Sequence, residues 1–149
     1  RTSVGDVVVR LYPEAAPRTV QGFLANCANG VYDNTILDEA HSQGLYGGTK
    51  GADGSFKMVN TYNAFNTGEW ANCPAPLAGR VAVLCYSSPC SESAELFICL
   101  ADAPRAAGKV VVFGEIEQGL DALLEAAAST DVDGWLSQPV VIYGTDIES

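Results

Sequence analysis

The sequence predicts a mainly β domain in which a closed antiparallel sheet is accompanied by two helices. The first observation is a pair of apolar runs, Leu96–Leu100 and Val110–Phe113, which have strand length and are rich in Ile, Val and Phe. Runs that are apolar at successive positions are typical of strands covered on both faces. The second observation is the polar connection between the runs, where Pro104 and Gly108 interrupt strand structure. We therefore expect the two runs to form a hairpin at the centre of the sheet.

The N-terminal part of the chain predicts a strand followed by a helix. Residues alternate in polarity from Val4 to Tyr12, which is typical of a half-buried strand. One face of this strand consists of Val7, Val9 and Leu11. The segment Ala16–Gly30 has the period of an amphipathic helix, and Pro17 suits its first turn because the N–H that proline lacks would have no partner there. The apolar stripe of the helix consists of Val20, Phe23, Leu24 and Cys27.

Three more strands and a second helix are predicted further along. The segment Tyr32–Leu37 is expected to open a strand, and Arg80–Tyr86 is expected to form another. The last strand of the fold is expected at Pro139–Tyr143. The segment Gly119–Ser129 predicts a helix, since its apolar residues recur at helical spacing. That apolar face consists of Leu120, Leu123, Leu124 and Ala127. The chain as a whole is expected to contain seven or eight strands, six of which are assigned to residue ranges here, and two helices.

The segment Phe56–Gly79 is predicted to be irregular. Asn, Gly and Thr are frequent in it, and the Cys73-Pro-Ala-Pro76 run is incompatible with a helix or an inner strand. We expect Phe65 and Trp70 to anchor this excursion to the domain. If they were exposed, they would indicate a contact surface instead.

Composition indicates one folded domain over residues 1–149. Of the 149 residues 48% are apolar and 17% charged, and no apolar run approaches the roughly 20 residues of a membrane span. No signal peptide is predicted. The net charge of −10 repels phosphate backbones, so nucleic acid is not an expected partner. We expect a soluble protein of an intracellular compartment or an organellar lumen.

The cysteines predict neither a metal site nor a disulfide framework. There are five, without CxxC spacing, at positions Cys27, Cys73, Cys85, Cys90 and Cys99. Zinc is therefore not expected. We expect free thiols in a reducing compartment. The alternative is one disulfide, either Cys85–Cys90 or one that involves Cys73.

Two stretches resemble cyclophilin-type peptidyl-prolyl isomerases. The first is A-P-R-T-V-Q-G-F-L-A-N-C in the first helix, and the second is F-I-C, a loop, then G-K-V-V-V-F-G-E-I. The positions that match the family pattern are Pro17, Thr19, Phe23, Cys27, Gly108, Lys109, Val111, Val112, Phe113 and Gly114. The resemblance spans nearly the whole chain. It implies a closed, antiparallel, eight-stranded barrel with a helix capping each end.

The resemblance also implies a chemistry. An X-Pro amide rotates over a barrier of about 18–20 kcal/mol. A catalyst has to stabilise the twisted amide, whose nitrogen gains a lone pair, and in the family an Arg supplies a cation beside that nitrogen. Phe and other apolar groups form the proline pocket, and a Gln with backbone groups fixes the substrate.

Most of that set is replaced here, so no catalytic residue is assigned. The family Arg corresponds to Glu39, a reversal of charge. The other corresponding positions are Tyr46 and Glu95 for two Gln residues, Phe97 for a retained Phe, Arg105 for a Trp and Val110 for a His. Arg105 corresponds to a rim position, where it would not restore the cation. Asp38 and Glu39 are adjacent on a strand and are expected to point to opposite faces.

These substitutions lead to three hypotheses. The first is a catalytically inactive cyclophilin-like domain that serves as a protein-interaction or structural subunit of a larger assembly, with protein partners and no cofactor. The second is a weak or specialised prolyl isomerase that assists one partner protein. The third is a redox role for Cys85 and Cys90, which predicts a disulfide between them. His41, the only histidine, is interpreted as an ordinary surface residue.

Overall fold

The computed structural model describes residues 1–55, 68–85 and 92–148. Within these ranges it contains one antiparallel sheet of seven strands and two α-helices. In chain order they are β1 (Val8–Leu11), α1 (Pro17–Ala28), β2 (Thr35–His41), β3 (Gly44–Gly51), β4 (Arg80–Cys85), β5 (Glu92–Cys99), β6 (Val110–Gln118), α2 (Leu120–Ala127) and β7 (Trp135–Ile142). Short 3-10 turns lie at Glu69–Ala71 and Pro104–Ala106. None of the helices in these ranges is both long and apolar enough to cross a bilayer.

The predicted central hairpin is wrong, because another strand separates its two members. The strand order is β1-β6-β4-β5-β3-β2-β7, so β4 lies between β5 and β6. Val83 of β4 lies opposite Leu96 on one side and Val111 on the other. The connection from β5 to β6, which contains the turn at Pro104–Ala106, is long enough to pass over β4. An apolar pattern shows that a strand is buried, but it does not identify the neighbouring strand.

The predicted closed barrel of eight strands is also corrected, since the described strands number seven and the sheet is not closed. Its edges, β1 and β7, are connected only near one end, by the stretch that precedes β1. There Thr2 forms an isolated bridge with Ile142, and the Tyr143 N–H donates to the Arg1 carbonyl at 2.8 Å. Beside that point a cavity of about 530 Å³ reaches from β1 and residues 144–148 into the interior, where its lining includes Phe23, Leu37 and Leu123. One bridge cannot supply the ladder of hydrogen bonds that closure requires.

The sheet is covered by apolar side chains on both faces. We call the larger group the inner cluster; it includes Val111 and Phe113 and receives Val20 from α1 and Leu123 from α2. The outer cluster consists of Ala82, Phe97, Cys99, Ala103, Val110 and Val112. Successive residues of β6 therefore enter opposite clusters. This explains why Val110–Phe113, the first half of β6, is apolar at every position instead of alternating.

The first helix is held at its N-terminus by a residue far away in the sequence. Pro17 occupies the first turn, as predicted. The Glu69 carboxylate accepts hydrogen bonds from the backbone N–H groups of Arg18 at 3.0 Å and Thr19 at 2.8 Å. The adjacent Trp70 packs against the inner cluster, so it anchors the excursion as predicted. Phe65, expected to share that role, lies outside the described residues.

The cysteines differ from the expectation of free thiols. Cys27, Cys73 and Cys99 are not disulfide-bonded, which contradicts the alternative of a disulfide involving Cys73. Cys85, however, is disulfide-bonded. It ends β4 and lies opposite Glu92 of β5, and its disulfide partner is outside the described part of the chain. Spacing alone could not decide this, because the pairing depends on where the chain returns beside β4.

Candidate functional site

Three positions identified from the sequence form a row across neighbouring strands on the outer face. Tyr46 of β3 lies directly opposite Glu39 of β2 on one side and Phe97 of β5 on the other. Residues that are directly opposite in a sheet project from the same face, so these three side chains are neighbours. We call Glu39, Tyr46 and Phe97 the cross-strand row. Positions that are distant in sequence are therefore brought together on one face of the sheet.

The aromatic rings of the row hold one another in place. The rings of Tyr46 and Phe97 pack edge to face, with their centroids 5.0 Å apart and their planes at 85°. The imidazole of His41 stacks on Tyr46 at 4.5 Å with an angle of 23°. Phe97 is only 1% exposed, and its ring lies over Gly44, where any Cβ would overlap it. Gly44 thus makes room for the retained Phe97.

Glu39 has a partner that sequence reasoning missed. Its Oε2 lies 3.1 Å from Nε2 of His41, and its side chain remains 30% exposed. The interpretation of His41 as an ordinary surface residue is therefore incomplete, since it contacts two members of the site. A two-residue turn brings it there: Ser42 and Gln43 have φ of 51° and 64°, which is typical of a tight hairpin. The Asn-Gly pair that usually indicates such a turn is absent, so the sequence did not predict the turn or the position of His41.

The neighbouring acid, Asp38, lies between Leu37 and Glu39, where the register of β2 with both neighbouring strands is irregular, so the simple alternation of faces on which its prediction relied does not apply. Its Oδ2 pairs with Nζ of Lys50 at 3.1 Å. The same ammonium lies 5.1 Å from the centroid of the Trp135 ring. Asp38 and Glu39 therefore do not form a carboxylate pair that could share a proton.

Tyr46 lies between two carboxylates. Burial raises the pKa of its phenol, and the negative charges of Glu39 and Glu95 raise it further because they disfavour a phenolate. Glu95 is two residues before Phe97 on β5, so both project from the same face. The two Gln positions of the family are thus occupied by a tyrosine and an acid that lie close together.

The remaining two corresponding positions flank the row without adding a cation to it. Val110 is 2% exposed and belongs to the outer cluster with Phe97. Arg105 is exposed in the turn Pro104–Ala106, while Ala103 and Ala106 beside it pack against that cluster. The site is therefore an apolar and aromatic surface bordered by acids.

This arrangement favours binding apolar and cationic groups. A carboxylate repels a developing lone pair, whereas a guanidinium attracts it, so Glu39 differs from the Arg of the family pattern in the sign of its charge. Throughout residues 1–55, 68–85 and 92–148, no group of three or more His, Cys, Asp or Glu side chains is placed to hold a metal ion.

Comparisons with known proteins agree with the fold. The family described as cyclophilin type peptidyl-prolyl cis-trans isomerase has a model that matches residues 1–147. The chain is 28% identical over 140 residues to peptidyl-prolyl cis-trans isomerase-like 3 of Rhizopus delemar, covering 89% of this chain and 81% of that protein. With the human protein of the same name it shares 26% identity, covering 83% and 77%. It is 30% identical to peptidyl-prolyl cis-trans isomerase 9 of Schizosaccharomyces pombe, where the match spans 82% of this chain and 20% of the relative.

Solved structures give the same architecture. A cyclophilin type peptidyl-prolyl cis-trans isomerase of Cryptosporidium parvum, crystallised in the presence of the dipeptide Ala-Pro, superposes with a TM-score of 0.71 at 23% identity, covering 99% of this chain and 96% of the other. At that identity the likeness concerns the fold alone. The family match over residues 1–147 confirms the resemblance read from the sequence. The chain therefore belongs to the cyclophilin-type peptidyl-prolyl cis-trans isomerase family.

Proposed function

We propose that this domain binds a segment of a partner protein at the cross-strand row without catalysing prolyl isomerisation, and that it acts as a subunit of a larger assembly. The observation that carries the proposal is Glu39 beside Tyr46, at the position where the family pattern places an arginine. The proposal treats residues 1–149 as a single domain.

The loss of activity follows from the sign of the charge. Removing one preorganised electrostatic contact costs about 2.7–4 kcal/mol, or roughly 10²–10³ in rate. Glu39 goes further, because it places a negative charge where negative charge develops. Its partner His41 is exposed and lies on the same strand as Glu39. It therefore pairs with the carboxylate without supplying a fixed cation at the amide.

Retained binding follows from the aromatic part of the row. Tyrosine and other large aromatic side chains are enriched among the residues that dominate the affinity of protein interfaces. Tyr46 is half-buried, and its contacts with His41 and Phe97 fix its ring before any partner arrives. A ring that is already ordered loses little conformational entropy on binding. The row therefore has the physical properties of a binding surface.

The second candidate is a weak or specialised isomerase, and two observations favour it. Phe97 keeps the family's residue type and is buried beside Tyr46. The relatives from Rhizopus delemar and human carry isomerase-like names. A slow enzyme acting on one partner would be consistent with both.

Exchange spectroscopy on a short Ala-Pro peptide separates the two candidates. With catalytic amounts of the unmodified protein, we expect the cis/trans exchange rate to equal that of the peptide alone. We expect Glu39→Arg to raise it if the rest of the pocket is intact, while Glu39→Gln, which removes the charge without supplying a cation, should have little effect. A rate increase by the unmodified protein that Phe97→Ala abolishes would establish the isomerase instead.

A further inference from the structure

We propose that the cross-strand row recognises a Lys or Arg side chain of the partner segment, held at the Tyr46 ring between the carboxylates of Glu39 and Glu95. This inference rests on the proposed function, because it names the chemistry of the partner that the row binds. It depends on where the two acids and the ring lie, and not on the absence of catalysis.

The first argument is the position of the acids around one ring. Glu39 lies on β2 and Glu95 on β5, the two strands that flank Tyr46 on β3. Both carboxylates are near enough to Tyr46 to raise the pKa of its phenol. A cation placed at this ring would therefore meet negative charge from both sides of the strand.

The second argument is the ring itself. A Lys or Arg side chain is attracted to the face of an aromatic ring within about 6 Å of its centroid. The structure already contains this geometry twice, at Lys50 over Trp135 (5.1 Å) and at Arg10 over Tyr12 (5.6 Å). Tyr46 is half-buried, and the exposed imidazole of His41 already stacks on its ring while it pairs with Glu39, so a cationic side chain of a partner would take the place of this imidazole.

The third argument excludes other partner chemistry. An acidic side chain would be repelled by Glu39 and Glu95 and by the net charge of −10. A purely apolar side chain would remove the exposed part of the Glu39 carboxylate from water without adding a hydrogen bond to the one with His41, which is unfavourable. A cationic side chain with an aliphatic stem avoids both the repulsion and the burial of an unpaired charge. Its stem packs on the rings, and its charged head pairs with an acid.

The test compares two peptides that differ at one position. The probes are acetyl-Gly-Ala-Arg-Pro-Ala-Gly-amide and the same peptide with Gln in place of Arg, titrated at constant ionic strength and followed by amide chemical shifts. We expect the Arg peptide to bind about tenfold more tightly. Glu39→Gln and Tyr46→Leu should each reduce that preference several-fold, and Tyr46→Phe, which keeps the ring, should retain most of it.

Glu125→Gln on α2 is the matched control, because it makes the same change of charge at an exposed position on a helix that packs into the inner cluster. If Glu125→Gln lowered the preference as much as Glu39→Gln, the attraction would be non-specific and the inference wrong. Equal binding of both peptides, or binding of neither, would also overturn it. If the Arg peptide bound and was isomerised, the non-catalytic function would fail while this inference stood.

Discussion

The inner and outer faces of the sheet differ in how they relate to the family pattern. Matching residues such as Phe23, Val111 and Phe113 pack in the inner cluster, while the departures at Glu39 and Tyr46 lie on the outer face. The packed interior constrains volume and shape closely, whereas the partly exposed positions Glu39 and Tyr46 can change in charge and size without unfolding the chain. The comparison teaches that a fold can be retained while residues on its surface change in charge and size.

The largest loss of stability should come from replacing a large side chain of the inner cluster by a small one. Phe113 is fully buried and lies 4.7 Å from the Phe23 ring. We expect Phe113→Ala to reduce the free energy of unfolding by about 3–5 kcal/mol, measured by urea denaturation. Tyr46→Ala on the outer face should cost less than half as much, because its ring is only half-buried. Equal losses would contradict the distinction between the faces; if Phe113→Ala does not fold, Phe113→Leu should still cost more than Tyr46→Phe.

Substitution of Gly44 tests whether Phe97 of the cross-strand row is tightly packed against this position. A Cβ at this position overlaps the Phe97 ring, so Gly44→Ala should destabilise the protein by about 1–3 kcal/mol. The second change Phe97→Leu should recover part of this loss, because the smaller side chain vacates the space. A double-mutant cycle measures the coupling. No coupling between the two substitutions would show that Gly44 is not required by Phe97.

A smaller effect is expected at the cap of α1. Glu69→Ala removes the acceptor for two backbone N–H groups at the start of the helix. By analogy with ordinary N-caps, the free energy of unfolding should fall by about 0.5–2 kcal/mol. Glu14→Ala, an exposed position just before the helix, is the control and should be nearly neutral. The prediction fails if the two variants have the same stability.

The smallest effect should come from the exposed pair Arg10 and Glu115. The hydrogen bond from Arg10 lowers the pKa of Glu115. A lowered carboxyl pKa contributes stability above the ordinary carboxyl range, and this contribution is lost as the pH falls through the lowered pKa. The stabilities of wild type and Glu115→Gln should therefore differ slightly near about pH 7, and the difference should shrink as the pH falls below the ordinary carboxyl range. A difference that grows on acidification would contradict this assignment.

The sequence predicted the elements better than their arrangement. Both helices were found within two residues of their predicted ends, because apolar spacing and Pro17 are local signals. The order of β4, β5 and β6 was not predicted, since a strand that is apolar on both faces carries no information about its neighbour.

The candidate site shows the same limit. Glu39, Tyr46 and Phe97 were identified by resemblance, and the sheet brings them together. The contribution of His41 was missed because it depends on the turn at Ser42 and Gln43. Both residues have a left-handed backbone, which is usually indicated in a sequence by glycine or asparagine, and neither is present there. The cap by Glu69 was missed because it comes from a remote segment.

The central claim is that Glu39 has abolished prolyl isomerisation while the row around it remains a binding surface. The most direct measurement is the cis/trans exchange rate of an Ala-Pro peptide in the presence of the unmodified protein, with Glu39→Arg measured beside it. We predict no acceleration by the unmodified protein and a measurable acceleration by the variant. Acceleration by the unmodified protein that disappears in Phe97→Ala would contradict the account.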